Sequence, residues 1–142
     1  MGIAQGMVYL QEKNIYGVTL SARDIWLSWD YVAKISLSTL TGFCNQESVE
    51  NGVDEDPERV RWTAPEELLN PSGHVLDPHH GIDVWSFGVL IWEIFSCAQT
   101  PYFQWRDDDN LEENLAYFLH SGGRLDVPSD FTPEAMYAFK IH

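Results

Sequence analysis

The segment "HVLDPHHGID" holds a group of histidine and aspartate side chains that could bind a metal ion. Its histidines and aspartates are His74, Asp77, His79, His80 and Asp83. Imidazole and carboxylate groups bind zinc, but this spacing matches no established zinc pattern and no cysteine joins the group. We therefore interpret the segment as a polar surface loop with no metal. Asp83 is expected to cap the helix that follows.

The two thiols offer no second chemical site. Cys44 and Cys97 are far apart and form no Cys-x-x-Cys pair, which favours reduced thiols in a cytosol-like compartment. Cys44 lies in a polar stretch with no histidine close to it in sequence, so we expect no nucleophilic role for it.

Composition limits the classes of partner. A net charge of -14, from 22 acidic and 8 basic residues, repels phosphate backbones, so no nucleic-acid partner is expected. The apolar run Val84–Phe95 is too short to cross a bilayer, so no membrane segment is expected in this chain. At 142 residues the chain is long enough for one modest core and too short for two ordinary domains.

Hydrophobic spacing predicts a mainly helical α+β fold with one small hairpin. The expected elements are a helix around Ile3–Leu10 ended by Gly17, a hairpin at Ile25–Ser36, a buried helix from Asp83 to about Ser96, a helix over Leu111–Leu119 stopped by Gly122 and Gly123, and a helix opening at Thr132. Polar, weakly periodic sequence predicts exposed loops over 41–58 and 70–81.

Three segments, in this order along the chain, resemble those of a known family. They are "RWTAPE" at Arg61–Glu66, "DVWSFGVLIWEIFS" at Asp83–Ser96, and "GGRLDVPSDFTPEAMY" at 122–137. Together they resemble the C-terminal lobe of a protein kinase, closest to the tyrosine kinases. The resemblance implies a helical bundle around a buried central helix, and a partial kinase domain over 1–142 without its N-terminal lobe and last helices. The structural motif residues it implies are Ala64, Pro65, Glu66, Asp83, Trp85 and Gly88.

The resemblance also locates the positions that would carry phosphoryl transfer. The family uses a catalytic aspartate in a His-Arg-Asp motif, and holds magnesium through an asparagine downstream and the aspartate of Asp-Phe-Gly. Alignment of "GVTLSARD" (17–24) puts Thr19 at the catalytic aspartate and Asp24 at the asparagine. Alignment of "AKISLSTL" puts Leu37 at the Asp-Phe-Gly aspartate.

These substitutions predict a site without an intact catalytic residue. Thr19 is a neutral hydroxyl and cannot act as a general base near pH 7, and Leu37 offers no oxygen to magnesium. Arg23 and Asp24 remain as residual family-type side chains. The sequence therefore predicts a pseudokinase lobe that is not an enzyme and binds neither the ATP nor the magnesium that the family uses.

Trp26 stands at the position that, by resemblance, forms the floor beneath the adenine ring. Its indole either fills the space that a nucleotide needs or packs in the core, and the sequence leaves both readings open. Asp83, by the same resemblance, braces the backbone of the catalytic loop. Glu66 would be buried without its usual arginine partner, because no arginine follows Arg124, and this predicts a marginally stable chain.

The function expected from these residues is a protein-interaction or regulatory module in tyrosine-kinase-type signalling, with other signalling proteins as partners. We expect a cytoplasmic location, either as a separate protein or as the cytoplasmic part of a larger receptor. Two alternatives remain: an ATP-dependent tyrosine kinase with Asp24 as its sole metal ligand, and a truncated product with no role of its own.

Overall fold

A computed structural model describes residues 2–36, 56–69, 80–106, 108–129 and 131. Its helices are α1 (Ile3–Glu12), α2 (Pro65–Leu68), α3 (His80–Phe95) and α4 (Leu111–His120), and its strands are β1 (Ile25–Leu27) and β2 (Ala33–Ile35). Short 3-10 turns cover Ala22–Asp24, Pro57–Trp62 and Phe103–Trp105. The described part is thus mainly helical with one two-stranded antiparallel sheet, which confirms the expected fold class.

The hairpin forms where the sequence predicts it. Ile25 pairs with Ile35 and Trp26 with Lys34 across the antiparallel strands. Both isoleucines pack against the apolar cluster around α1, which fixes the base of the hairpin. The Trp26 side chain points the other way and is 67% exposed, so the interpretation of Trp26 as a core residue is wrong.

The central helix α3 begins three residues before the expected start. Asp83 lies in its first turn and not at the N-cap, so the capping prediction is wrong. The sequence predicts a cap at Asp83 because aspartate is a preferred residue at the N-cap of a helix. In the structure the helix already includes His80, and the Asp83 carboxylate accepts a hydrogen bond from a backbone amide 65 residues away in sequence.

The burial of α3 follows the prediction on one side only. Val89, Leu90 and Trp92 are buried, whereas Val84 and Ile94 are exposed. Apolar residues all round a helix predict burial on every face, but the described part of the chain leaves the side chains of Val84 and Ile94 exposed. The expectation of a buried helix is therefore confirmed at Val89, Leu90 and Trp92, and it is wrong at Val84 and Ile94.

Two apolar clusters hold the helices together. The first consists of Met7, Leu10, Val18, Leu20 and Leu90. The second consists of Leu68, Tyr102, Leu115, Ala116 and Leu119. Residues of α3 contact both clusters, Phe87 the first and Trp85 the second, although each of these rings is only half-buried. Complete burial of a leucine contributes roughly 1.5–3 kcal/mol, so these two clusters fix the position of α3 between α1 and α4.

The helix over Leu111–His120 has the expected apolar stripe. Leu111, Leu115 and Leu119 are buried, and the helix stops before Gly122 as predicted. The predicted helix from Thr132 lies outside the described residues, as do most of the two predicted loops. Within the described ranges, no helix combines the length and the apolar character needed to cross a bilayer.

Three helices end with the same backbone pattern. In each case an amide just after the helix donates to the carbonyl five residues earlier: Ile15 N to Leu10 at 3.0 Å, Ala98 N to Glu93 at 2.9 Å, and Gly123 N to Phe118 at 2.9 Å. This pattern requires a left-handed residue just before the donor, a position that favours glycine. Helix α1 ends at Glu12 and its pattern uses Asn14, so the prediction that Gly17 ends this region is wrong.

The left-handed position differs between the three helices. It is occupied by Asn14 (φ 58°) after α1, by Cys97 (φ 55°) after α3 and by Gly122 (φ 90°) after α4. A side chain with a Cβ costs about 1–2 kcal/mol in this conformation, and asparagine tolerates it better than most. The end of α3 therefore carries the most strain of the three.

Replacing Cys97 with glycine should stabilise the fold. We expect Cys97→Gly to raise the free energy of unfolding by about 0.5–1 kcal/mol, because relief of the left-handed cost exceeds the entropy that glycine loses on folding. Urea denaturation followed by circular dichroism measures this change. The matched control, Gly122→Ala, should lower the free energy of unfolding by about 1 kcal/mol. Equal effects of the two substitutions would contradict the assignment.

Candidate functional site

The loop segment, residues 17–24, is anchored to α3 by side chains of that helix. The Val18 amide donates to Asp83 Oδ1 at 2.7 Å, and the Leu20 amide donates to Ser86 Oγ at 2.8 Å. The Ser86 hydroxyl in turn donates to the Val18 carbonyl at 3.1 Å. All four groups are buried, so each bond satisfies a backbone group that would otherwise be costly to remove from water. Asp83 thus makes the backbone contact that the resemblance implies for it.

Glu93, one further step along α3, extends this anchoring to a second segment. Its Oε2 accepts from the Ala22 amide at 2.8 Å and from Trp62 Nε1 at 3.1 Å. Asp83, Ser86 and Glu93 are separated by three and seven residues, which places them on one face of a helix. Sequence reasoning missed Ser86 and Glu93, although polar residues at this spacing in an otherwise apolar helix were a usable signal.

Asp24 supplies the one carboxylate of the loop segment, and it is buried at 4% exposure. Its Oδ2 accepts from the Ser21 amide at 2.9 Å and from the Ser21 hydroxyl at 2.7 Å. Arg59 reaches Asp24 Oδ1 through Nη2 at 2.9 Å, and Oδ2 through Nη1 at 3.4 Å. The same Nη1 donates to the carbonyl of half-buried Thr19 at 2.9 Å. A guanidinium thus bridges the two positions aligned with the family's catalytic aspartate and asparagine.

Neighbouring side chains already engage the oxygens of Asp24, which stands at one of the family's magnesium-ligand positions. Magnesium requires about six oxygen ligands in near-octahedral array, and here both Asp24 oxygens already accept hydrogen bonds from Ser21 and Arg59. A guanidinium beside the carboxylate also repels a second cation. Leu37 lies outside the described residues, so its predicted role is not tested.

Most of the histidine and aspartate group at 74–83 lies outside the described residues. His74, Asp77 and His79 lie outside the described residues, and so does the side chain of His80. Among the side chains that are described, no three His, Cys, Asp or Glu residues converge as metal ligands.

Arg23 joins the loop segment to the 3-10 turn at Pro57–Trp62. Its guanidinium forms an ion pair with Asp56, and lies 5.6 Å from the centre of the Trp62 ring. Both partners of the ion pair remain partly exposed, so the pair alone adds little stability.

The predicted structural motif residues take up different environments. Ala64 is fully buried before α2, Pro65 opens that helix, and Gly88 is buried within α3. The Trp85 ring lies 5.2 Å from the Arg124 guanidinium, and its buried Nε1 has no hydrogen-bond partner among the described residues.

The expectation that Glu66 is buried is wrong. Its side chain is exposed, and the neighbouring Glu67 is the half-buried carboxylate. Successive residues of a helix are separated by about 100°, so one turn of α2 directs these two side chains to different faces. Burial, and then the charges of Glu66 and Asp83, raise the pKa of Glu67. Its Oε2 is buried without a hydrogen-bond partner in the described part of the chain.

Comparisons with known proteins support the resemblance. The family model for protein tyrosine and serine/threonine kinase matches residues 1–140. The chain is 36% identical to tyrosine-protein kinase csk-1 of Caenorhabditis elegans over 134 residues, 94% of this chain and 23% of csk-1. It is 42% identical to the megakaryocyte-associated tyrosine-protein kinase of Rattus norvegicus over 100 residues, 70% of this chain and 20% of that protein. It is 34% identical to ZAP-70 of Mus musculus over 139 residues, 96% of this chain and 20% of ZAP-70.

The chain spans about a fifth of the length of these relatives. All three are tyrosine-protein kinases by name, and kinases are transferases. The prediction that the chain is not an enzyme is therefore wrong. That prediction depended on a few side chains, whereas the match to the kinase family extends over residues 1–140.

Removing the charge at Glu67 should stabilise the protein at neutral pH. The raised pKa means that the folded state prefers the protonated carboxyl, so this preference contributes stability at low pH and the contribution is lost as pH rises through the folded-state pKa. We expect Glu67→Gln to raise the free energy of unfolding at pH 7 by about 1 kcal/mol, because the neutral amide avoids burial of a charge and its repulsion by Glu66 and Asp83.

The pH dependence identifies the cause. The advantage of Glu67→Gln should disappear as pH falls below the ordinary glutamate value of 4.5. Denaturation series at several pH values measure this directly. The exposed Glu112, in the first turn of α4, supplies the control. Glu112→Gln should bring no gain at pH 7, and a Glu67→Gln protein less stable than the parent at pH 7 would contradict the interpretation.

Proposed function

Because the chain belongs to the protein tyrosine and serine/threonine kinase family, we propose that it acts in tyrosine-kinase-type signalling as a protein-interaction or regulatory module. Its partners would be other signalling proteins, and its location the cytoplasm, either as a separate protein or as the cytoplasmic part of a receptor. The proposal depends on the hairpin surface, which carries exposed aromatic side chains and whose strands are attached to the core through Ile25 and Ile35.

Four large apolar side chains of the hairpin face solvent. Trp26 and Leu27 are each 67% exposed, Tyr31 is 87% exposed and Trp29 is 94% exposed. Neighbouring apolar side chains exposed in this way commonly mark a binding surface, and tryptophan and tyrosine are enriched at protein interfaces. This surface is the single observation that carries the proposal.

The hairpin holds these side chains in a defined arrangement. The Ser28 amide donates to the Val32 carbonyl at 3.0 Å, and the Tyr31 amide donates to the Ser28 carbonyl at 2.9 Å. A preorganised turn loses less entropy when a partner binds. Since the chain carries a net charge of -14, the partner that fits best presents an apolar patch with a basic rim.

Substitution of the hairpin tip tests this proposal in the full-length protein. Proximity labelling in cells should compare the parent protein with the double variant Trp29→Ser/Tyr31→Ser. We expect labelling of signalling proteins to fall about tenfold or more in the double variant, as for loss of an aromatic hot spot. Tyr117→Ser is the matched control, because Tyr117 is 77% exposed on α4, away from the hairpin. The same labelled proteins with all three forms would contradict the proposal.

A second candidate function is ATP-dependent phosphorylation of tyrosine with Asp24 as an unusual functional carboxylate. It is favoured by the kinase relatives and by a loop segment anchored to α3 through Asp83 and Ser86. This candidate requires that the full-length protein phosphorylates a peptide, and that Asp24→Asn abolishes the activity while Asp30→Asn, at the exposed hairpin turn, does not. Phosphorylation that survives Asp24→Asn would exclude a role for Asp24.

We propose that the regulatory module functions without ATP and magnesium at the loop segment. One feature supports this: Ser21 and Arg59 engage both oxygens of Asp24. A truncated product with no role of its own is compatible with the same residues, and the labelling experiment distinguishes it by the absence of any hairpin-dependent partner.

A further inference from the structure

Two ion pairs connect the loop segment with residues 56–62, and they run in opposite directions. In one pair, Arg23 of the loop segment binds Asp56. In the other, Arg59 binds Asp24 of the loop segment. We propose that this reciprocal pair of contacts is a clasp, in which Arg59 is the positioning residue that holds residues 56–62 against the loop segment. The inference concerns the coupling of two segments, and it stands whether or not the hairpin binds a partner.

The inner half of the clasp has the geometry of a specific contact. Arg59 donates to both oxygens of Asp24, and also to the Thr19 carbonyl at 2.9 Å. A planar guanidinium can make these contacts together, whereas a lysine ammonium cannot reproduce the two-pronged arrangement. Arg59 therefore fixes both the side chain at one end of the loop segment and the backbone near its middle.

Burial determines which half of the clasp dominates. Asp24 is 4% exposed and Arg59 about a third exposed, so the inner pair is shielded from solvent. The outer pair is more open, at 52% for Arg23 and 31% for Asp56. Removing one member of a shielded pair leaves a charge without its partner, which is much more disruptive than loss of an exposed pair. Loss of Arg59 should thus open the clasp, and loss of Arg23 should only loosen it.

The segment that the clasp holds is itself internally organised. Asp56 accepts from the Glu58 amide at 3.0 Å, and so caps the 3-10 turn that carries Arg59. Trp62 closes the turn and donates to Glu93, the α3 residue that also accepts from the loop segment. Residues 56–62 lead directly into Ala64 and α2, so the clasp connects the loop segment to the Ala-Pro-Glu motif.

Local hydrogen exchange on the purified chain tests the clasp. Mass spectrometry should follow amide exchange in residues 58–63 in the parent protein, Arg59→Met, Asp24→Asn and the double variant. We expect protection of this segment to fall at least tenfold in each single variant, and to fall little further in the double variant, because both substitutions remove the shared contact between Arg59 and Asp24. Protection in α4, which lies outside the clasp, should stay within about twofold.

Two further variants separate the clasp from a general loss of stability. Arg59→Lys keeps the charge without the fork and should give intermediate protection. It also provides the measurement if Arg59→Met fails to fold. Arg106→Met is the control, since Arg106 is an exposed arginine stacked on Phe103 away from the loop segment. Unchanged exchange in Arg59→Lys and Arg59→Met, additive losses in the double variant, or equal loss of protection in α4 would each overturn the proposal.

Discussion

Backbone amides of the loop segment must find buried acceptors, and α3 supplies them from one face. Asp83 and Ser86 bind the amides of Val18 and Leu20, and Glu93 binds that of Ala22. A loop that enters the interior carries polar groups that water can no longer satisfy. The rest of the described site depends on these bonds, because they fix the backbone from which Asp24 and Arg23 project.

Elements with a strong local period were predictable from the sequence. The hairpin, α3 and α4 appear where alternation and helical spacing predict them, since those patterns directly report which face is buried. The helix ends were less predictable. Asn14 and Cys97 occupy left-handed positions for which the expected signal is glycine, so the end of α1 was displaced to Gly17.

The site was only partly predictable, because its decisive contacts join residues distant in sequence. The family resemblance indicates Asp24, but its partner Arg59 lies 35 residues away in the sequence and has no periodic relation to it. The error at Glu66 has a similar origin: resemblance located the motif, but one turn of α2 decides which glutamate faces inwards. At Asp83, local sequence predicts a helix cap, but the side chain instead binds a backbone amide that is distant in the sequence.

Residues 56–62 are held from two sides by charged groups. On one side are the contacts with the loop segment. On the other, the fully buried Arg61 donates to the carbonyls of Pro101 and Tyr102 at 3.1 and 2.9 Å, and pairs with Glu58. A buried guanidinium is tolerated only where its donors are satisfied. This short segment therefore contacts both the loop segment and the turn after α3.

The tryptophan side chains differ in burial, so their fluorescence emission differs in wavelength and in accessibility to quenchers. Trp29 and Trp26 stand in solvent on the hairpin, whereas Trp62 and Trp92 are only 3% and 8% exposed. The first pair emits at longer wavelength and is open to collisional quenchers, while the second pair is shielded. Because the chain is strongly acidic, iodide is repelled and neutral acrylamide reaches the hairpin more readily. Emission at the red edge thus reports on the hairpin, and emission at the blue edge reports on the packing around α3.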